Sequence, residues 1–264
     1  MVRYLTSADI HGQREEAIEQ SRESFQPMYD KFNAAIDALL IIQYSFCFSE
    51  QTPSTPLQRV HSQVAKWLYS SIFGFHASLS LAEQGFYHQS VDINRNLMEN
   101  LVSAHYLADM PADIDRIPRV STKVNNPLTK RECFEHVVPG YYKSGYKFSS
   151  EFTHPGRASH IFKVPPDGAG GNKVDMETSF NPEWMGLCLN ELTMLLAGFL
   201  KIYSVKYKDV LKYRNTSDTV RIKNASAGLR EVLEGHIALK GVEKPWLRTT
   251  RPLWDWLGCD EIGR

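Results

Sequence analysis

Cysteine is scarce in this chain. There are four in 264 residues, at positions 47, 133, 188 and 259, with no close pair. That excludes a disulfide scaffold and a cysteine-based zinc module, and leaves the thiols as small buried hydrophobes in a reducing compartment. Net charge is missing as well: 30 Lys and Arg face 30 Asp and Glu. A generally basic nucleic-acid coat and a polyacidic solvating chain are thereby excluded. Long apolar runs are absent. Ala38–Ile42 and Leu195–Leu200 are the longest, far too short alone to span a bilayer. The opening MVRYLTSADIHGQREEAIEQ is polar and has no apolar core of a secretory signal. The expectation is a cytoplasmic protein with no membrane partner.

Signature motifs are lacking too. H-E-x-x-H and G-x-S-x-G do not occur. The glycines of Pro165–Asn172 lack phosphate-loop spacing, and no G-x-G-x-x-G follows a strand. This argues against zinc proteases, the usual serine hydrolases and dinucleotide folds. A di-iron bundle needs two E-x-x-H motifs, and only Glu151–His154 fits, while His105 and His136 have no partner at ligand spacing. No metal and no cofactor are expected.

What is present is helical periodicity. Phe32, Ala35, Ile36, Leu39, Leu40 and Tyr44 recur at threes and fours, which predicts helix over 12–48, with a possible joint at Pro27. The breaker Gln51–Pro56 precedes a second helix over 57–84. Gly85 ends that helix and a third runs over 86–109, up to Pro111. The turn between these two is so short that they must be antiparallel neighbours. Shorter helices are expected over 127–137 and 140–153, and a small β-hairpin or ordered loop over 159–181. Residues 182–213 read as a central helix, apolar around most of its surface, and 225–239 as another helix. The fold class is an all-α bundle of five to seven helices with a small insert. The bundle domain covers 1–213, and 214–264 is a C-terminal extension holding Trp246, Trp254 and Trp256.

Charge is uneven along the chain. Residues 1–110 carry −5, 111–163 carry +4, 164–200 carry −4 and 201–264 carry +5. The dense run from Lys201 to Arg230 reads as a solvated face or as a phosphate-contacting patch.

Three constellations carry chemistry. On the third helix His88, Asp92, Arg95 and Glu99 share a stripe roughly 60° wide, opposite Ile93, Leu97 and Leu101. It is either a salt-bridged solvent face, with Asp92–Arg95 and Arg95–Glu99 as pairs, or the wall of a cleft. In the cleft, the Arg95 fork would meet phosphate. Tyr142, Tyr146, Ser150 and His154 are four apart and share another face. His154 at its end suits a general acid or base, since imidazole titrates near neutrality. Glu83 falls near the apolar face of the second helix, flanked by His61 and His76, and needs a partner if buried. Arg95 is one candidate, and solvent at a frayed helix end is the alternative.

The order Arg95-x-x-x-Glu99, then Ser150-x-x-x-His154-Pro155, resembles a widespread group of bacterial helical-bundle proteins of unknown function. The resemblance covers residues 57–156 and extends toward 182–208. That group is in turn distantly similar to the HEPN superfamily of nucleotide-binding and ribonuclease bundles. The resemblance implies action on RNA or a nucleotide, with Arg95, Glu99 and His154 catalytic and His88, Asp92, Tyr146 and Ser150 binding the ligand. An Arg followed a few residues later by His on one helix, the HEPN nuclease hallmark, does not occur. Nine residues separate Arg95 from His105, and two separate Arg157 from His160. Arg95 and His154 would have to meet from different helices. The rival readings are a dimeric scaffold docking through its tryptophan-rich tail, and a small-anion binder in the bundle cleft. A homo-oligomer is the expected assembly.

Overall fold

The computed structural model describes residues 7–48, 55–118, 124–143, 180–211, 215–237 and 256. Among them every regular element is a helix, as the periodicity predicts. Helix α1 spans Ser7–Phe48 and passes through Pro27 without a break. The possible joint at Pro27 is therefore not used. Buried Phe32, Ala35, Leu39, Ile42 and Phe46 follow Pro27, and their packing carries the helix past the proline's missing hydrogen bond.

Helix α2, Pro56–Glu83, opens on a capping box. The Thr55 hydroxyl accepts from the Gln58 amide, and the Gln58 side chain accepts from the Thr55 amide. The turn to α3, Tyr87–Asp109, depends on Gly85 at φ 81, a backbone that other residues resist. At the next residue the Phe86 amide bonds back to the Leu81 carbonyl at 2.8 Å. The tight turn lays α3 antiparallel on α2. At Gly74 the two helices close so far that a Cβ would lie 2.9 Å from Leu97.

A 3₁₀ turn, Pro111–Arg116, follows α3. Helix α4, Lys130–Val137, starts at a second capping box, Thr129 with Glu132. The central helix α5, Pro182–Lys206, is capped by Asn181, whose side chain accepts from the Glu183 and Trp184 amides. It ends at Tyr207 instead of near residue 213, because the Tyr207 ring turns into the core and its hydroxyl bonds the Ala104 carbonyl. A single turn, α6, covers Lys208–Leu211. Helix α7, Thr216–Ile237, starts nine residues before its expected position. Asn215 is the reason: its side chain accepts from the Asp218 amide at 2.8 Å and starts the first turn. The predicted hairpin over 159–181 lies outside the described residues, apart from Phe180 and Asn181.

Helix α5 touches α1, α2, α3 and α7. Phe199 meets Phe75 edge-on at 5.3 Å and stacks on Tyr203 at 5.8 Å, and Tyr203 meets Phe46 at 5.9 Å. The Tyr203 hydroxyl donates to the Val64 carbonyl. By length and composition α5 could also cross a membrane, and 72% of its apolar window is buried inside the bundle. Helix α7 lies on α1 and α5 through Ile222, Ala225, Leu229 and Leu233, with Lys31 bonded to Glu231 at 2.7 Å. Trp256, in the C-terminal extension, packs against the same core.

The aromatic column through α5 predicts a large cavity cost. Phe199→Ala is expected to destabilise the fold by about 3–5 kcal/mol in urea unfolding. A loss near zero would mean that α5 is not central.

Candidate functional site

Helix α3 has buried polar groups on two sides. On the side toward α2 and α5, Ser90 and Asn94 are fully buried, as is Ser78 of α2. The Ser78 hydroxyl donates to Asn94 Oδ1 at 2.6 Å and lies 2.8 Å from the Ser90 hydroxyl. Asn94 Nδ2 then donates to Glu191 Oε2 of α5 at 2.9 Å. Two contacts one turn earlier set this register. The Asn181 amide donates to the Tyr87 hydroxyl at 2.8 Å, and the Cys188 thiol lies 3.8 Å from the Tyr87 carbonyl.

Glu191 is half-buried. Burial pushes its carboxyl up to about 7, against the pull of the Asn94 bond. Burial likewise pushes the Cys188 thiol up to about 12 and the Cys133 thiol up to about 11. Both cysteines are buried and free, so neither is a thiolate nucleophile at neutral pH.

The predicted stripe is centred about a third of a turn around α3 from Asn94. His88 Nδ1 is 3.8 Å from Asp92 Oδ2, and Arg95 Nε is 3.5 Å from Glu99 Oε1. The second Glu99 oxygen pairs with Lys130, the first residue of α4. Side-chain exposure is 7% for Glu99, 21% for Arg95 and 12% for His88, but 39% for Asp92. The stripe is thus turned inward along most of its length, beside α4, and is not a solvent face. Burial first, and the Arg95 charge second, lower the Lys130 ammonium from its usual range. A carboxylate held between two cations, one with a bidentate fork, is an arrangement that can fix an anion.

The structure brings together His88, Asp92, Arg95 and Glu99 of the predicted site residues. Tyr146, Ser150 and His154 lie outside the described residues. The predicted pairing of Glu83 with Arg95 is not found. Glu83 reaches Arg22 of α1 at 3.4 Å. His76 is exposed, and half-buried His61 packs edge-on against Phe46 at 6.1 Å.

A second cluster sits at the far end of α3, where sequence spacing gave His105 and His136 no partner. Both place Nε2 3.4 Å from Asp109 Oδ2, and Lys206 donates to Asp109 Oδ1 at 2.6 Å. Burial alone would raise the Asp109 carboxyl, but Lys206 and the two histidines hold it below its usual value. The Trp256 ring stacks on His105 at 5.4 Å. Burial, then Lys206, pushes His105 down to about 4. The i, i+4 spacing of His105 and Asp109 was the one signal available in sequence.

Among the described residues no group of three or more His, Cys, Asp or Glu is placed to hold a metal ion. No protein-family model, no curated protein and no solved structure matches this chain.

His105 makes stability depend on pH with a definite sign. The fold holds it neutral, whereas the unfolded chain protonates near 6.5. Its contribution is complete above about 6.5 and is lost as pH falls toward 4. The urea midpoint is expected to drop through that window, and His105→Asn to flatten part of the drop. An identical pH profile in the variant would show the ring to be solvated.

Proposed function

We propose that this chain is a HEPN-like helical-bundle protein that acts on RNA or a nucleotide in the cytoplasm. Arg95, Glu99 and His154 form the reacting set, and His88, Asp92, Tyr146 and Ser150 line the site. The observation that carries the reading is the burial of Glu99 between Arg95 and Lys130. Burying a carboxylate with a guanidinium is costly, even with the Lys130 side chain left 55% exposed beside it, and surface ion pairs return little. A charged cluster turned into a bundle therefore suggests function more than stability.

In this reading a ribose 2′-hydroxyl attacks the adjacent phosphorus, and the 5′-oxygen leaves and takes its proton from water. His154 accepts the hydroxyl proton. The Arg95 fork, oriented by Glu99, and the Lys130 ammonium stabilise the charge that develops on the phosphoryl oxygens. Asp92 holds the His88 ring at the mouth of the stripe.

A non-enzymatic homo-oligomeric scaffold is the second reading, favoured by one observation. Tyr69 and Phe73 stand 57% and 58% exposed on the outer face of α2, in edge contact at 5.0 Å. Such a pair suits a partner surface.

Incubation with labelled RNA in the absence of metal separates the two. The wild type is expected to cleave, His154→Ala to be inactive, and Arg95→Lys to be slower by about a hundredfold, since it keeps the charge but loses the fork. Cleavage by His154→Ala at the wild-type rate would refute the assignment, and no cleavage by any form would favour the scaffold.

A further inference from the structure

The function proposed above leaves the histidine cluster at the end of α3 and the tryptophan-rich extension without a task. Trp256 is where the two meet. Its ring packs against the bundle core. It lies nearly parallel to the His105 ring, with 5.4 Å between centroids and 23° between planes. The indole thus covers one face of the imidazole. Nε2 of His105 lies 3.4 Å from Asp109 Oδ2, so this nitrogen carries the proton of the neutral ring. Nδ1 is buried and has no hydrogen-bond partner among the described residues. It is the nitrogen left to take a second proton.

A proton on Nδ1 would make a buried N–H with no acceptor among the described residues. It would also add charge where cations already gather. Lys206 and Lys201 of α5 and His136 of α4 act against it, and Asp109 favours it. The Asp109 carboxylate is already shared. Lys206 holds Oδ1 at 2.6 Å, and His136 stands 3.4 Å from the same Oδ2 that His105 faces. Charged groups of the other elements against α3 pair among themselves, Asp113 with Arg116 in the 3₁₀ turn and Asp115 of that turn with Arg59 of α2. With the indole removed, water reaches the uncovered face and solvates an imidazolium. A stacked indole also attracts a cation through its π face. That attraction is smaller than the cost of a buried charged donor left unsatisfied. Proton and indole therefore compete for one ring.

We propose that the Trp256–His105 stack is a proton-operated latch: it holds the C-terminal extension on the end of α3 while the imidazole is neutral, and it opens when the imidazole takes a proton. None of its residues belongs to the RNA site, so it stands or falls apart from that reading. The sign of the pH dependence is fixed. Under the indole the ring stays neutral down to about 4, whereas a solvated imidazole takes its proton near 6.5. The latch is at full strength above about 6.5 and weakens as pH falls toward 4, by at most about tenfold per pH unit.

The test is an NMR titration of the full chain carrying ¹³C-labelled histidine rings. The chain has nine histidines, and the His105 signal is the one lost in His105→Asn. Wild type and variants are compared at pH values where far-UV circular dichroism shows the bundle folded. In the wild type the His105 signal is expected to remain that of a neutral ring from pH 7.5 down to pH 5. In Trp256→Ala it is expected to titrate with a midpoint at least one pH unit above that of the wild type. By reciprocity, one unit means that the indole docks about tenfold more weakly on the protonated ring. Trp256→Phe keeps an aromatic cover and is expected to stay close to the wild type. A stack that only packs the extension in place would leave the His105 midpoint alike in all three chains. A rise of less than one unit in Trp256→Ala overturns the inference. So does a fall, which would mean that the imidazolium–indole attraction prevails and that acid tightens the stack.

Discussion

Asn94 is the point on which this bundle turns. Its side chain is fully buried where α2, α3 and α5 meet, and both ends are used: Ser78 donates to its oxygen and its amide donates to Glu191. A buried amide left with one end open would cost about 1–3 kcal/mol. The three helices therefore have to meet in the one register that satisfies it. Apolar packing between α2 and α5 would tolerate sliding or rotation more readily, because leucine-rich surfaces specify position weakly.

The orientation of α3 then fixes the rest of the polar interior. With Asn94 pointing between α2 and α5, and Leu97 against Gly74, the charged stripe has to face α4. The capping box at Thr129 starts α4 at Lys130 and so sets a cation over Glu99. Farther along the same helix, Asp109 gathers His105, His136 and Lys206. One helix thus carries three polar centres at successive heights. The first is Asn94, bonded to a carboxyl from α5, the second a carboxylate between two cations, and the third a carboxylate shared by two histidines and a lysine. The three sites differ in water access and in charge balance, and so in the protonation each favours. Burial holds Glu191 near neutrality and strips the proton from His105, while the cations around Asp109 keep it ionised.

Local signals wrote much of the fold into the sequence. Thr55-Pro56, Gly85, Pro111 and Asn181-Pro182 fix helix ends through caps and broken hydrogen bonds, and the boundaries of α2 and α3 follow them closely. Errors arose where tertiary packing overrode the local rule. Pro27 stays inside α1 because buried neighbours hold the helix together past it, and Tyr207 ends α5 because its ring is drawn into the core. The start of α7 was written in Asn215 and passed over. The charged stripe was legible as a stripe, since helical spacing fixes which residues share a face. What covers that face was not legible: Lys130 lies 31 positions from Glu99, and 97 positions separate Asn94 from Glu191. Asn94 sat inside the most informative segment without drawing notice, since a lone asparagine between charged neighbours carries no periodic signal.

The central claim is that Asn94 and Glu191 are energetically coupled across α3 and α5. A double-mutant cycle in urea at pH 8, with Asn94→Ala and Glu191→Met, measures that coupling directly. At this pH the carboxyl is largely ionised, and hydrogen bonds to charged groups are the stronger ones. The account predicts a coupling of about 1–2 kcal/mol. Additivity within about 0.5 kcal/mol would contradict it, because independent sites behave in that way.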